Sequence, residues 1–262
     1  MIRIGPAGIG AKGIYLDEIA KAGLGAAEVE FTYGVKMSDD TAKEIGIRAK
    51  KLGIMLSVHA PYYINLASKD RQKIEASKKR IIESCKKAEL LGAKYVVFHP
   101  GFYMGDDKEA VFQRIKKNIL AILEEMKHKK YHTMLAPETT GKKSQFGSLS
   151  ELLRLRKETK TAICVDFAHL KARNLGKIDY DEVFKSLSGI RHIHSHFSGI
   201  EWTDKGEKRH LPTPEKEIVV LEKAILKYNA DITIINESPD QFNDAIKMAR
   251  ILSKLKKSKK TT

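Results

Sequence analysis

The sequence predicts a single (β/α)8 TIM barrel with a metal site at the C-terminal ends of its strands. Eight short apolar or β-branched segments alternate with amphipathic segments, as expected for parallel strands covered on both faces. The chain has 262 residues, and one such barrel takes about 250. Because the C-terminal strand ends open into one bowl, ligand-type residues at these ends can meet there. Six such residues each end an apolar segment: His59, His99, Glu138, Asp166, His196 and Glu237.

The order of the predicted elements indicates one domain. The strands are expected at residues 2–5, 27–31, 55–59, 95–99, 133–138, 161–166, 192–196 and 231–237. Between them, apolar residues such as Ile115, Ile119 and Ile122 recur at helical spacing. Ser148 and Glu151 fit a capping box. The composition does not change along the chain, so we expect a catalytic barrel over residues 1–253 and a basic C-terminal tail over 254–262.

Composition favours a polyanionic partner over a neutral sugar. Lysine and arginine number 48 against 33 aspartates and glutamates, a formal net charge of +15. A lysine-rich solvated surface is the alternative explanation. The two cysteines have neither zinc-finger nor disulfide spacing. No signal pattern or apolar run of about 18 residues occurs, so we expect a cytoplasmic monomer without membrane contact.

The predicted ligands suit zinc, with manganese as the alternative, because imidazole nitrogen and carboxylate oxygen bind both metals. No cysteine stands at the six strand ends, which disfavours a purely structural zinc site. His169 and His210 are further candidates, either for a separate ion or, for His210, for phosphate contact. His194 competes with His196 for the role on the seventh strand, since residues two apart point to the same side.

Six motifs, in order, resemble those of the endonuclease IV family of apurinic/apyrimidinic-site DNA repair enzymes. They are SVHAPYYINLAS, VVFHPG, PETTG followed by FGS, CVDFAHLKA, HSHFSG followed by KRHLP, and INES. They cover most of the chain. The resemblance implies a β/α barrel with three zinc ions that hydrolyses the DNA backbone on the 5′ side of an abasic site.

The same resemblance implies a role for each matching residue. His59 and His99 correspond to ligands of a first ion, and Glu138 to the carboxylate that bridges it to a second. Asp166, His196 and Glu237 complete the second site, and His169 and His210 match the histidines of the third. Tyr62 corresponds to a contact of the abasic nucleotide.

Two departures from the family stand in the chain. Lys208 occupies the place of an aspartate two residues before the loop histidine, with Glu207 next to it as another source of a carboxylate oxygen. The cluster is therefore expected to hold two or three ions. The loop after the second strand lacks the arginine that the family inserts into DNA, which leaves Tyr33 or Lys36 for that contact.

The expected reaction is attack on phosphorus by hydroxide that the zinc cluster activates, with Glu138 as the catalytic residue that fixes its position. The partner is double-stranded DNA containing an abasic site, which is easier to extrude because it makes no base pair. Lys208 and Arg209, in the segment 205–209, and the segment 141–144 are the expected phosphate contacts.

Two other functions fit parts of the pattern. A sugar isomerase or epimerase on a related barrel needs one metal at strand ends, and Glu30 would suit it. A damage-binding protein would keep the fold without turnover. Loss of metal ligands would mark that protein, whereas all six strand-end candidates are present here.

Overall fold

The computed structural model describes residues 1–258 and contains an eight-stranded parallel barrel. In chain order the strands are β1 (Ile2–Pro6), β2 (Ala26–Glu30), β3 (Met55–His59), β4 (Tyr95–Phe98), β5 (Gly101–Phe102), β6 (Met134–Pro137), β7 (Gln145–Phe146), β8 (Cys164–Asp166), β9 (Ile193–Phe197), β10 (Gly199–Thr203), β11 (Gly206–Leu211) and β12 (Ile232–Asn236). The order β2-β3-β4-β6 forms one half and β1-β12-β9-β8 the other. Isolated parallel bridges from Ala7 to Glu28 and from Glu138 to Cys164 close the barrel.

Helices cover the outside of the barrel. They are α1 (Leu16–Lys21), α2 (Asp39–Lys51), α3 (Arg71–Leu91), α4 (Lys108–His128), α5 (Leu149–Thr159), α6 (Phe167–Arg173), α7 (Tyr180–Ser186), α8 (Glu215–Lys227) and α9 (Gln241–Ser258). The capping box of α5 forms as expected, with Ser148 accepting from the amide of Glu151. None of the helices within residues 1–258 is long and apolar enough to span a bilayer.

The predicted alternation of strands and helices is confirmed. Each of the eight expected strands contains an observed barrel strand or overlaps most of it, and only β8 is clearly shorter than expected. Residues 254–258 of the expected basic tail continue α9, and the division of the chain at residue 253 stays a prediction. Residues 259–262 lie outside the described part of the chain.

The core lies between the barrel and its helices. On α4, Val111, Ile115, Ile119 and Ile122 are fully buried, which is the inward stripe expected of an amphipathic helix. Each such side chain contributes about 1.5–3 kcal/mol when removed from water. This packing fixes the strands, and therefore the positions of residues at their C-terminal ends.

A two-stranded hairpin, β10–β11, lies over the C-terminal end of the barrel. It is joined to the loop after β6 by an antiparallel bridge between Lys142 and Gly206, and by the amide of Glu207, which donates to the carbonyl of Gly141 at 3.0 Å. The loop and hairpin approach so closely that a Cβ on Gly206 would overlap Gly141. Gly206 also has a φ of 98°, which favours glycine.

Candidate metal centre

Glu138 lies at the centre of the six predicted strand-end ligands. Its Oε2 is 3.1 Å from Nε2 of His59 and 3.1 Å from Nε2 of His99. Its Oε1 is 3.2 Å from Nδ1 of His169 and 3.3 Å from Nδ1 of His196. Residues that follow or end different barrel strands therefore meet at one carboxylate, as the placement at strand ends predicts.

The predicted ligands form three groups that share members. Within each group, one ligand atom per residue lies within 4.8 Å of the others. The groups are His59, His99 and Glu138; Glu138, Asp166, His196 and Glu237; and Asp166, His169 and His210. The first two contain the six strand-end residues, and the third adds the two further candidates, His169 of α6 and His210 of β11.

The hydrogen bonds of the histidines direct their free nitrogens into these groups. Nδ1 of His59 donates to the carbonyl of Ala60 at 2.7 Å, which leaves Nε2 facing Glu138. Nδ1 of His169 donates to the carbonyl of Thr139 at 2.9 Å, which leaves Nε2 for the third group. Such outer contacts fix the ring orientation that a metal-binding histidine needs.

Nδ1 of His210 is likewise occupied. It donates to Oγ of Ser198 at 2.8 Å, because that hydroxyl gives its own proton to the carbonyl of Gly199. Nε2 of His210 then faces Nε2 of His169 at 3.3 Å. Two nitrogen ligands of one tetrahedral zinc ion lie about 3.3 Å apart. The donor set and its spacing therefore fit a divalent cation.

A buried oxygen without a hydrogen bond also fits a cation. Oδ2 of Asp166 is buried and accepts no hydrogen bond within residues 1–258, although Nδ1 of His169 lies 3.2 Å away. Oδ1 of Asp166 accepts from the amide of His169 at 2.8 Å. Leaving a buried acceptor unpaired costs about 1–3 kcal/mol. An ion that shares Asp166 between the second and third groups would satisfy this oxygen.

The electrostatics of the cluster depend on burial and on mutual contact. Burial alone would raise the pKa of Glu138, but the charges of His99 and His196 hold it well below its ordinary range. Burial would lower the pKa of His59, but the hydrogen bond to Glu138 and the charge of Glu30 raise it to about 10. Burial raises the pKa of Asp166 to about 6. The pKa values of His169 and His196 are raised as well, by neighbouring carboxylates that outweigh burial. Without a metal these three histidines thus hold protons, which binding of a cation would release.

A β-bulge interrupts the hairpin at Lys208, the residue that stands where the resembling family has an aspartate. In the hairpin, Glu201 pairs with Arg209 and Trp202 with Glu207, so Lys208 is the extra residue of a β-bulge. Lys208 and Arg209 consequently point to the same outer side, where each lies 2.6 Å from a carboxylate oxygen of Glu201. Their role as DNA contacts stays a prediction.

The bulge turns Glu207 toward the metal centre instead. Oε2 of Glu207 is 3.4 Å from Nε2 of His169, and Oε1 is 4.0 Å from Nε2 of His210. A bulge puts residues three apart on one side of a strand, where regular alternation would put residues two apart. Glu207 is thus the hairpin carboxylate nearest the two histidines.

A cavity of about 550 Å³ opens above the centre. Its lining includes His59, Tyr62, His99, Lys142, Glu207 and Glu237. Tyr62 lies beside the ligands as expected, with its ring 5.8 Å from that of His59. Tyr33 and Lys36 lie in the loop after β2 and are not part of this lining, so their contact with DNA stays a prediction.

Sequence reasoning missed the layer below the centre. Glu28 is fully buried inside the barrel and touches His194 and His196. The signal was present, because a glutamate in the middle of the β2 segment AAEVE is costly to bury without partners. The structure distinguishes the two candidates on the seventh barrel strand, β9. His196 lies in the centre, and His194 lies one layer lower.

Comparisons with known proteins agree with this architecture. Residues 16–255 match the model of the xylose isomerase-like TIM-barrel family. A protein of Methanocaldococcus jannaschii described as uncharacterised is 40% identical over 254 residues, 92% of this chain and 91% of that protein. A probable endonuclease 4 of Mycoplasma mobile is 31% identical over 148 residues. That match covers 52% of this chain and 51% of the relative, about half of each.

Solved structures share the fold. Endonuclease IV from Thermus thermophilus has a TM-score of 0.72 and 22% identity, covering 97% of this chain and 99% of that one. A D-tagatose 3-epimerase-like protein has a TM-score of 0.76 and 20% identity, covering 99% and 100%. The chain therefore belongs to the xylose isomerase-like TIM-barrel family, and the kinship with endonuclease IV expected from its motifs is confirmed.

Proposed function

We propose that the protein is a metal-dependent endonuclease that cleaves double-stranded DNA on the 5′ side of an abasic site. The observation that carries the proposal is the set of three overlapping ligand groups in one open cavity. A single polarising ion needs only the group around Glu138, Asp166, His196 and Glu237. An enzyme that acts on a sugar with one ion does not need the histidines outside that group. Additional ions held by those histidines would suit a phosphodiester, which has several charged oxygens to bind.

The ligand assignment follows the three groups. His59, His99 and Glu138 would hold the first ion, and Glu138, Asp166, His196 and Glu237 the second. His169 and His210 would hold the third, with Glu207 taking the place of the family's aspartate. Zinc is the preferred ion and manganese the alternative.

Divalent ions at these positions would polarise the phosphate and lower the pKa of water toward neutrality. The chain's own residues contribute position. Glu138 is held between four histidine nitrogens and is our candidate for the residue that orients the attacking water. The cluster needs no side-chain nucleophile.

Substrate binding is expected at the cavity rim. Lys142 lines the cavity and can contact phosphate, and Tyr62 lines it beside the ligands, where an extruded sugar could pack. The net charge of +15 favours a polyanion in general. The cost of extrusion is lower for a nucleotide without a base, which would give selectivity for abasic sites.

The test is cleavage of a duplex that contains one tetrahydrofuran residue, in the presence of zinc or manganese. We expect a single nick 5′ to the lesion with a 3′ hydroxyl. Glu138→Ala should abolish the nick, while Glu44→Ala, which removes an exposed carboxylate on α2, should leave it unchanged. An intact duplex across all metals would overturn the proposal, and binding without a nick would indicate a damage-binding protein.

A sugar epimerase is the second candidate, because Glu30 adds a carboxyl group to the cavity lining with one buried oxygen unpartnered among the described residues. The epimerase-like structure with a TM-score of 0.76 is compatible with it. The same preparation should therefore be incubated with D-tagatose and manganese. Interconversion of the ketose together with an intact duplex would replace the endonuclease proposal.

A further inference from the structure

A second polar layer lies directly below the metal centre, inside the barrel. It consists of Glu28, Ser57 and His194, all buried, and it contacts His196 from below. Replacing such a group by packed apolar residues is often neutral or stabilising. A buried carboxylate at this place therefore calls for a role beyond packing.

The contacts of Glu28 connect it to one candidate ligand. Oε1 of Glu28 is 2.9 Å from Nε2 of His196, an ion-pair contact without hydrogen-bond geometry, and neither atom has a hydrogen-bond partner within residues 1–258. Oε2 accepts from Oγ of Ser57 at 2.6 Å and lies 3.2 Å from Nε2 of His194. The ring of His194 is itself stacked on Tyr95, with centroids 4.9 Å apart. Glu28 is therefore held from one side and presents its other oxygen to His196.

The two ring nitrogens of His196 face different partners. Nδ1 points into the centre, 3.1 Å from Oε1 of Glu237 and 3.3 Å from Oε1 of Glu138. Nε2 points away from the centre, toward Glu28. A neutral imidazole carries one proton, and only the nitrogen without it can bind a metal.

We infer that Glu28 is a positioning residue for the second metal ion. Its carboxylate keeps the proton of His196 on Nε2 and leaves the lone pair of Nδ1 free for the ion. The inference rests on the ligand role of His196 in the proposed function, but not on the substrate. Ser57 and His194 support it by preventing the carboxylate from rotating away.

The test compares Glu28→Gln with Ser84→Ala in metal-binding assays without DNA. The amide of Glu28→Gln has the same shape but no charge to hold the proton. We expect the affinity for the second zinc ion to fall about 10- to 100-fold in a chelator competition, and the absorption bands of the cobalt-loaded protein to change. Ser84→Ala removes a buried hydroxyl whose hydrogen bond goes to the carbonyl of Arg80 within α3, so its zinc affinity should stay within about twofold.

The tautomer of His196 gives a measurement that needs no variant. In the zinc-loaded protein, ¹⁵N nuclear magnetic resonance of the imidazoles should find the proton of His196 on Nε2. A proton on Nδ1 would overturn the inference. An unchanged zinc affinity and cobalt spectrum in Glu28→Gln, with only a lower melting temperature, would also overturn it and leave the layer a purely structural one.

These outcomes are separate from those of the endonuclease test. If the wild type does not nick abasic DNA but Glu28→Gln still loses affinity for the second ion, only the proposed function fails. If the wild type nicks the duplex and Glu28→Gln binds zinc normally, only the role of Glu28 fails.

Discussion

The candidate metal centre draws on two regions that the fold supports in different ways. Six candidate ligands stand at barrel strand ends, where parallel pairing and helix packing fix them; His59, Asp166 and His196 are buried. Two stand on the β10–β11 hairpin, where Glu207 and His210 keep 18% and 23% of their side chains exposed. The hairpin joins the loop after β6 through a few main-chain contacts. We call the six strand-end ligands the floor of the centre. The two hairpin ligands form a side whose position can change independently of the barrel.

The largest expected effect concerns the floor. Glu138→Ala removes the carboxylate that two ligand groups share, and it leaves four histidine nitrogens around an empty place. We expect cleavage of the abasic duplex to fall about a thousand-fold or more and the metal content to drop by at least one ion per chain. Mass spectrometry of the metals together with a nicking assay would check both. Full activity in this variant would mean that the shared carboxylate is not central.

A smaller effect is expected when the hairpin is changed. Glu207→Ala should lose the third ion and lower the rate about 10- to 100-fold, because Glu207 is 3.4 Å from His169. The two floor ions should remain. Lys208→Ala is the matched control, since its side chain points to the outer face and pairs with Glu201. Equal metal loss in both variants would contradict the assignment of the carboxylate to Glu207.

Deletion of Lys208 also tests the assignment of the carboxylate to Glu207, with a still smaller expected effect. Removing the bulged residue puts Glu207 and His210 two positions apart, on one side of a regular strand. We expect the third ion to be retained, with a change in rate of about threefold or less. Metal content and nicking rate would be compared with those of Lys208→Ala. Loss of the ion on deletion would indicate that the bulge itself is required.

The pH dependence of stability probes the floor alone. In the metal-free protein, the hydrogen bond to Glu138 and the charge of Glu30 outweigh burial and raise the pKa of His59 from 6.5 to about 10. A histidine whose pKa is raised in the folded state stabilises the fold fully below pH 6.5. This stabilisation is lost as the pH rises toward about 10. Burial raises the pKa of Glu30 from 4.5 to about 8, so its ionisation acts in the same direction.

The melting temperature of chelated protein should therefore fall by about a few degrees as the pH rises above 6.5. The gain in melting temperature on adding zinc should grow over the same interval, because fewer protons compete with the ion. Glu207→Ala should show the same slope, since it changes the hairpin and not the floor. A chelated protein that gains stability in this interval would contradict the protonation assigned to His59.

The floor of the centre could be predicted from sequence because strand ends have a fixed topology. His59, His99, Glu138, Asp166, His196 and Glu237 each follow an apolar segment, and the barrel brings such positions together. The competition between His194 and His196 could not be resolved in this way. Both side chains point inward, and only the pairing register shows that His194 lies opposite Cys164, one layer below the pair of His196 and Asp166.

The hairpin was less predictable because alternation is local and a bulge interrupts it. The count of two residues before His210 leads to Lys208, whereas the observed pairing skips that residue. Glu28 was missed for a different reason: its partners come from β3 and β9, far away in sequence. A buried charge inside a strand indicates that it has polar partners, but the sequence does not identify those partners.

The bulge at Lys208 makes two changes compensate each other. On a regular strand, one residue more between the carboxylate and His210 would turn Glu207 away from the histidines, and the bulge turns it back. Together they place a carboxylate beside His169 and His210. In this hairpin the spacing E-x-x-H, with a bulged residue inside it, places a carboxylate on the side of the strand that the spacing D-x-H would give without a bulge.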